Sequence, residues 1–356
     1  MSDIKFDVLN ARVTFKNVPL HSLSRFAFKD VAAATDAFKK IPGVEECIII
    51  QTSSRVEIFT VSNLETDDST DARRPEGKGL IINQMKETWQ ENSNIEQIDI
   101  DHFDQTLEVF KDDDVYLHLL RLACGLDSIV VGKEEVFDEI KKSLELAKKS
   151  GASGKILNKL FDSVIRLANS IRDSTEISKE VLSLGDVALN LVEEKVGLDA
   201  KKKVLLIGTG ESAAMVAKTL GQKEISFTVT SKDMQRATNF SQLLCGTPME
   251  FVDALSGFDK FDIIIVATTA DYFLIDLERI KLVMKEKKKG TLILDISEPR
   301  AVEETIMELP RIKLLFRDQV AEIYEENARL RAGIVPAVEK IIDKELPVLS
   351  ASMKRA

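Results

Sequence analysis

The segment that most limits the fold is Lys203-Val-Leu-Leu-Ile207, followed at once by Gly208-Thr-Gly210-Glu-Ser-Ala213. A short, unbroken apolar run ending in glycine reads as a strand buried on both faces, the kind found in parallel sheets. It passes directly into a helical pattern through Leu220. In that context Gly208 permits a tight turn, and Gly210 lets the backbone approach a pyrophosphate at the helix N-terminus. Ala213 is small enough for close helix–strand packing, and Thr209, Glu211 and Ser212 complete the turn. Further strand patterns at 225–230, 262–267 and 291–296 alternate with helices. That alternation predicts a doubly wound α/β domain of the Rossmann type.

The end of the second strand sorts the dinucleotide. An acid there would bind a ribose 2′-hydroxyl, whereas cations suit a 2′-phosphate. Thr230-Ser231-Lys232 ends the strand, Arg236 follows one turn on, and Asp233 falls where a helix cap is expected. NADPH is the expected cofactor, with Ser231 and Lys232 among its contacts. Thr268 and Thr269 should sit at the carboxyl edge of the same sheet.

Upstream, β-rich runs at 5–15 and 46–61 enclose a helical pattern over Leu23–Lys40. A polar loop (62–78), a helix (about 79–91) and a strand (about 105–110) follow. This β-α-β-β-α-β order predicts a ferredoxin-like module. Residues 112–198 read as helices broken at Gly125 and Ser150–Gly154, and 318–346 as one long helix kinked at Pro336. The expected organisation is α/β and α+β: a catalytic, substrate-binding domain at 1–160, a nucleotide-binding domain with linking helices at 161–310, and a helical dimerisation segment at 311–356.

At 356 residues the chain has room for two or three domains. The Met-Ser-Asp-Ile-Lys start and the lack of a long apolar run predict a cytoplasmic protein, not a membrane one. Three scattered cysteines argue against a disulfide framework or a metal site. A net charge of -10 disfavours general nucleic-acid affinity, so any RNA must be held by a local surface.

Two windows carry the chemistry. Gln51-Thr-Ser-Ser-Arg55 is a polar knot between apolar strand runs, and His118-Leu-Leu-Arg-Leu-Ala-Cys-Gly125-Leu-Asp-Ser128-Ile-Val-Val-Gly132 lies at a helix end. The first resembles the Thr-Cys-Asn-Arg-x-Glu signature of glutamyl-tRNA reductases, and the second resembles that family's His-Leu-x-Arg segment through Gly-Leu-Asp-Ser to Val-x-Gly. Asp295-Ile-Ser-Glu-Pro299-Arg300, Glu325-Glu-Asn327 and Lys16-Asn-Val-Pro19 extend the resemblance along the chain.

The resemblance implies reduction of glutamyl-tRNA(Glu) by NADPH to glutamate-1-semialdehyde, the first step of tetrapyrrole synthesis. It also implies a homodimer and, by analogy, a semialdehyde aminomutase as partner. The residue at 53 would attack the ester and His118 would serve as general acid or base. Thr52, Ser54, Arg55, Ser128, Lys133, Glu134, Glu135 and Glu139 would hold the substrate, with Arg55 on its carboxylate. Other readings stay open: His118 as a core histidine, Arg55 as a simple partner of Glu57, and Ser128 as a helix cap.

The departures fall on the same site. Ser53 stands where the family has its nucleophilic cysteine, and Ser54 where it has asparagine. Lys133-Glu134-Glu135 replaces Glu-(Pro/Asp)-Gln, and Glu139 replaces a glutamine. A serine is the weaker nucleophile, so chemistry through Ser53 should be slow. Cys47 lies too far along its strand to substitute; Cys124 suits packing better than rescue. The alternatives are a non-catalytic paralogue that binds glutamyl-tRNA or a regulator, and a dehydrogenase of another substrate.

Overall fold

The computed structural model describes residues 6–62, 78–96, 102–103, 105–179, 181–284 and 290–355. The polar loop expected at 62–78 lies almost wholly outside them. The first half of the chain runs β1 (Asp7–Thr14), α1 (Leu20–Phe26), α2 (Val31–Lys39), β2 (Val44–Thr52), β3 (Arg55–Ser62), α3 (Lys78–Asn92), β4 (Glu108–Lys111), α4 (Asp113–Ala123), α5 (Glu135–Ser150) and α6 (Lys155–Thr175). The second half runs α7 (Leu184–Val196), β5 (Val204–Ile207), α8 (Glu211–Gln222), β6 (Phe227–Thr230), α9 (Met234–Leu244), β7 (Thr247–Met249), α10 (Phe251–Ser256), β8 (Ile263–Val266), α11 (Leu277–Val283), β9 (Thr291–Asp295), β10 (Ile312–Phe316) and α12 (Asp318–Met353). Two compact units result. One comprises the chain to Val18, Arg25–Val181 and the segment from Leu330 on; the other comprises Pro19–Ser24 and Leu182–Arg329.

The first unit is built on an antiparallel sheet of order β2-β3-β1-β4, the arrangement of a ferredoxin-like module. One face of this sheet packs on helices. Val8, Ile48, Ile50, Phe59 and Val61 meet Leu119, Leu120, Ile140, Leu157, Phe161 and Val164 in one core. The last strand starts at Glu108, because the chain at 105–106 is helical instead of extended. A break between α6 and α7, invisible in the helical pattern, begins at Glu176, which takes a left-handed conformation (φ 54). Arg331 stabilises it by donating to the carbonyls of Glu176 and Ile177 at 3.1 Å each, and to that of Lys179.

α12 extends past the expected end at 346 and is continuous through both Pro336 and Pro347. Each proline removes a backbone donor. The helix persists because Val338, Ile342, Leu349 and Met353 are buried in the same core, and packing outweighs propensity.

The second unit is a six-stranded sheet of order β10-β9-β8-β5-β6-β7, with every pair parallel. Counted from β5 this is 3-2-1-4-5-6, the dinucleotide-binding order, with the switch point between β5 and β8. β10 belongs to this sheet, so the unit runs past 310. Leu205, Ile207, Ile264, Val266, Ile293 and Leu314 fill its core as near-continuous apolar strands.

One buried carboxylate governs the turn between α5 and α6. Glu46 accepts from the Ile156 and Leu157 N–H groups at 2.9 and 2.7 Å, capping α6 where its dipole favours negative charge. Glu46→Ala leaves both donors buried without a partner. Unfolding free energy should fall by about 1–3 kcal/mol in denaturant titration, with little change in the denaturant slope.

Candidate active site

β2 and β3 are joined by two residues, Ser53 and Ser54, with Thr52 paired to Arg55 across the hairpin. The turn is tied by its own hydroxyls. The Ser54 N–H donates to Thr52 Oγ1 at 3.1 Å, and the two hydroxyls lie 3.1 Å apart. Phe15 N–H donates to the Ser54 carbonyl at 2.9 Å. Ser54 is thereby buried, whereas Ser53 is half-buried and its hydroxyl makes no hydrogen bond among the described residues.

Arg55 and Glu57 are two residues apart on β3 and so share a face. β1 places Thr14 opposite Arg55 and Arg12 opposite Glu57. Arg55 and Glu57 are 1% and 0% exposed, and the guanidinium donates to Glu57 Oε1 at 3.0 Å and to the Asp127 carbonyl. Thus Arg55 does pair with Glu57, while its Nε lacks a partner.

α4 brings His118 to the same carboxylate, with Nε2 2.7 Å from Glu57 Oε2. Asp127 Oδ2 lies 3.7 Å from Nδ1, and Arg12 Nη1 lies against both ring nitrogens, 2.9 Å from Nε2. The ring stacks on Phe110 at 5.9 Å, which also carries Arg12 over its face at 4.2 Å. Glu57 thus holds the imidazole through Nε2, with Asp127 and Arg12 packed against the ring. Burial opposes the charged ring, but Glu57 and Asp127 outweigh it and raise the His118 pKa above its ordinary value. Burial likewise opposes charge on Glu57; His118, Arg55 and Arg12 overcome it and hold the carboxyl down at about 2.

The 124–134 loop supplies Asp127. Gly125 and Gly132 take φ +82 and +84, and a Cβ on Gly132 would lie 2.1 Å from the Ile177 carbonyl. Arg172 closes the loop by donating to the Ala123 and Gly132 carbonyls at 3.1 and 3.0 Å. Asp127 also binds Lys16 at 3.0 Å, from the turn in which the Asn17 and Val18 N–H groups donate to Thr14. Ser128 is buried with its Oγ unpartnered among the described residues, and it caps no helix there.

The other expected substrate residues lie at the start of α5 and within it. Lys133 and Glu134 precede α5 and Glu135 opens it. Glu134 is largely exposed and 4.0 Å from Arg172, and Glu139 pairs with Lys142 at 2.7 Å. Neither glutamate bonds to Arg55 or His118 among the described residues. Cys124 is fully buried in the core, and burial pushes its thiol up to about 12, which disfavours the thiolate a rescue would need. Burial raises Cys47 further still.

Arg12 and Asp127 were not singled out from sequence. Arg12 carried a signal, since its alternation along β1 places a charge on an inward face.

In the parallel unit the glycine turn has the form a dinucleotide needs. Gly208 has φ +122, its N–H donates to the Thr230 carbonyl at 2.9 Å, and a Cβ there would lie 2.0 Å from the Ala267 carbonyl. Gly210 caps α8 and faces open space, so a phosphate can approach its backbone. Thr209 is buried beside it, Glu211 and Ser212 form the first turn, and Ala213 is fully buried against the sheet. Asp233 caps α9, accepting from Gln235 N–H at 2.9 Å. Ser231 and Lys232 are left at the strand end, and Thr268 N–H donates to Ser297 Oγ at 3.1 Å on the neighbouring loop.

Residues 11–175 match the family described as glutamyl-tRNAGlu reductase, N-terminal domain, and residues 190–323 match shikimate / quinate 5-dehydrogenase. A glutamyl-tRNA reductase of Cenarchaeum symbiosum is 42% identical over 348 residues, covering 98% of this chain and 79% of that one. One from Methanothrix thermoacetophila is 31% identical, covering 96% and 77%. The solved glutamyl-tRNA reductase from Methanopyrus kandleri shares the fold at a TM-score of 0.51 and 24% identity, covering 99% and 81%.

The raised His118 pKa has a testable sign. Its stabilisation is complete below the ordinary value of 6.5 and is lost as pH rises through the folded-state pKa. Glu57 runs the other way, contributing above 4.5 and losing its contribution as pH falls toward 2. In an NMR titration of the three histidines, His118 should titrate above 6.5, and Glu57→Gln should lower its pKa. An unchanged value in the variant would contradict this reading.

Proposed function

The chain belongs to the glutamyl-tRNA reductase family, and on that premise we propose that it acts on glutamyl-tRNA(Glu) with NADPH to give glutamate-1-semialdehyde. This is the entry reaction of tetrapyrrole synthesis. The observation that carries the proposal is the shared end of the antiparallel sheet. There the Thr52–Arg55 turn and the Glu57–His118 pair are joined through Arg55 to the Asp127 loop, which also carries Ser128.

Each group has a task. Arg55, poised by Glu57 and with its Nε unpartnered, is assigned to the substrate carboxylate, and Ser128 to a further substrate hydrogen bond. Thr52 and Ser54 shape the turn around the reacting carbonyl. His118 can give a proton to the departing ribose oxygen while Glu57 holds its ring. Lys133, Glu134, Glu135 and Glu139 are assigned to the outer rim. The Gly208–Ala213 turn with Ser231 and Lys232 would hold NADPH, which when bound supplies hydride. We assign the antiparallel unit to substrate, the parallel unit over Leu182–Arg329 to the dinucleotide and the C-terminal part of α12 to dimerisation, with a cytoplasmic location and the semialdehyde aminomutase as partner. The exposed Leu330 and Val348 on α12 favour a homodimer.

Ser53 limits the rate. Attack by its Oγ would expel the ribose oxygen and leave a glutamyl ester on the protein. One oxyester is then exchanged for another, with no gain in reactivity toward hydride. The absence of a hydrogen-bonded base favours a second reading, a paralogue that binds glutamyl-tRNA without turning it over.

Both readings are resolved by following NADPH oxidation with glutamyl-tRNA. Under the first, Ser53→Cys raises turnover by on the order of tenfold or more, because a thiol ionises far more readily near neutral pH. Arg55→Ala added to that variant abolishes it. Tight tRNA binding with no aldehyde from either Ser53 or Cys at this position would establish the second.

A further inference from the structure

The loops after β6 and β8 bring together a cation and an aromatic ring that the parallel sheet does not need. Lys232 Nζ lies 4.3 Å from the centroid of the Tyr272 ring. β6 and β8 flank β5 on its two sides, and β5 delivers the Gly208–Gly210 turn. Ligands of such sheets rest outside the carboxyl ends of these strands. Tyr272 is 43% exposed, so core packing does not account for it.

We propose that Lys232 and Tyr272 form a clamp for an adenosine 2′-phosphate, with Tyr272 as the stacking face for adenine and Lys232 as the charge on the phosphate. The inference rests on the dinucleotide reading above and adds a residue and a means of discrimination to it. Lysine is a compact point charge with no flat surface of its own, so it can hold a phosphate but not a base. A tyrosine ring supplies that surface, and base–aromatic stacking is a substantial source of affinity. The acids nearby do not favour an unphosphorylated ribose. Asp233 is committed to capping α9 and lies 3.6 Å from Arg236, a second cation on the rim, while Asp271 precedes the ring on an exposed loop.

The resting contact also selects. With the ammonium lying on the ring, a ligand bearing a 2′-phosphate draws the cation away and frees the face for its base. A ligand without that phosphate must displace the ammonium with no anion to receive it.

Calorimetric titration of the full chain with 2′,5′-ADP and with 5′-AMP tests the clamp. The unaltered chain should prefer 2′,5′-ADP. Tyr272→Ala should weaken 2′,5′-ADP by roughly tenfold or more, and Tyr272→Phe should retain the affinity. Lys232→Ala should bring 2′,5′-ADP to the level of 5′-AMP. Wild-type affinity in Tyr272→Ala, or a retained preference in Lys232→Ala, overturns the clamp. Failure of the unaltered chain to bind NADPH at all overturns the dinucleotide reading itself and the clamp with it.

Discussion

A fully buried carboxylate, Glu57, organises the antiparallel unit's polar end. It receives Arg55 on one oxygen and His118 on the other, and it faces Arg12 across the sheet. An isolated charge in that position would be costly, and removing one member of such a pair leaves its partner uncompensated. The arrangement is therefore collective. Arg55, His118 and Arg12 hold Glu57 ionised, and Glu57 in turn fixes the imidazole and aims the guanidinium. The sheet has an apolar end of Val8, Ile48, Phe59 and Val61, and the network occupies the other end of the same face. One set of strands thus serves both as core and as site.

Against that background the position of Ser53 stands out. The turn around it is well formed: Thr52 and Ser54 bind each other, and Phe15 fixes the backbone. The surrounding charges are paired and the loop bearing Asp127 is closed by Arg172. Ser53, by contrast, has no hydrogen-bond partner for its hydroxyl among the described residues, and Cys124 is sealed in the core with a raised pKa.

Much of this was legible in the sequence, for identifiable reasons. The Gly208–Ala213 turn was readable because strand, turn and helix are contiguous and each glycine answers a local backbone demand. The Thr52–Arg55 knot was readable because polar residues interrupt two apolar runs. Asp233 as a helix cap followed from its place just before α9. The pairing of Arg12 with His118 was hidden because strand register sets it across about a hundred residues of chain, and that of Asp127 because it depends on how the 124–134 loop closes. Glu57 was visible only as a neighbour of Arg55; its bond to His118 depends on how α4 packs on the sheet. The break between α6 and α7 was hidden for the same reason, since Arg331 supports it from α12. The helix end at 346 was misplaced because prolines argue locally against a helix that the core maintains.

The central claim is that the site retains its substrate-handling groups and differs at the attacking atom. Peptide mass spectrometry of the Ser53→Cys chain, after incubation with glutamyl-tRNA in the absence of NADPH, tests this most directly. The account predicts a glutamyl adduct on residue 53, lost when His118 is also replaced by asparagine. An unmodified residue 53, or an adduct on Cys124 instead, would contradict it.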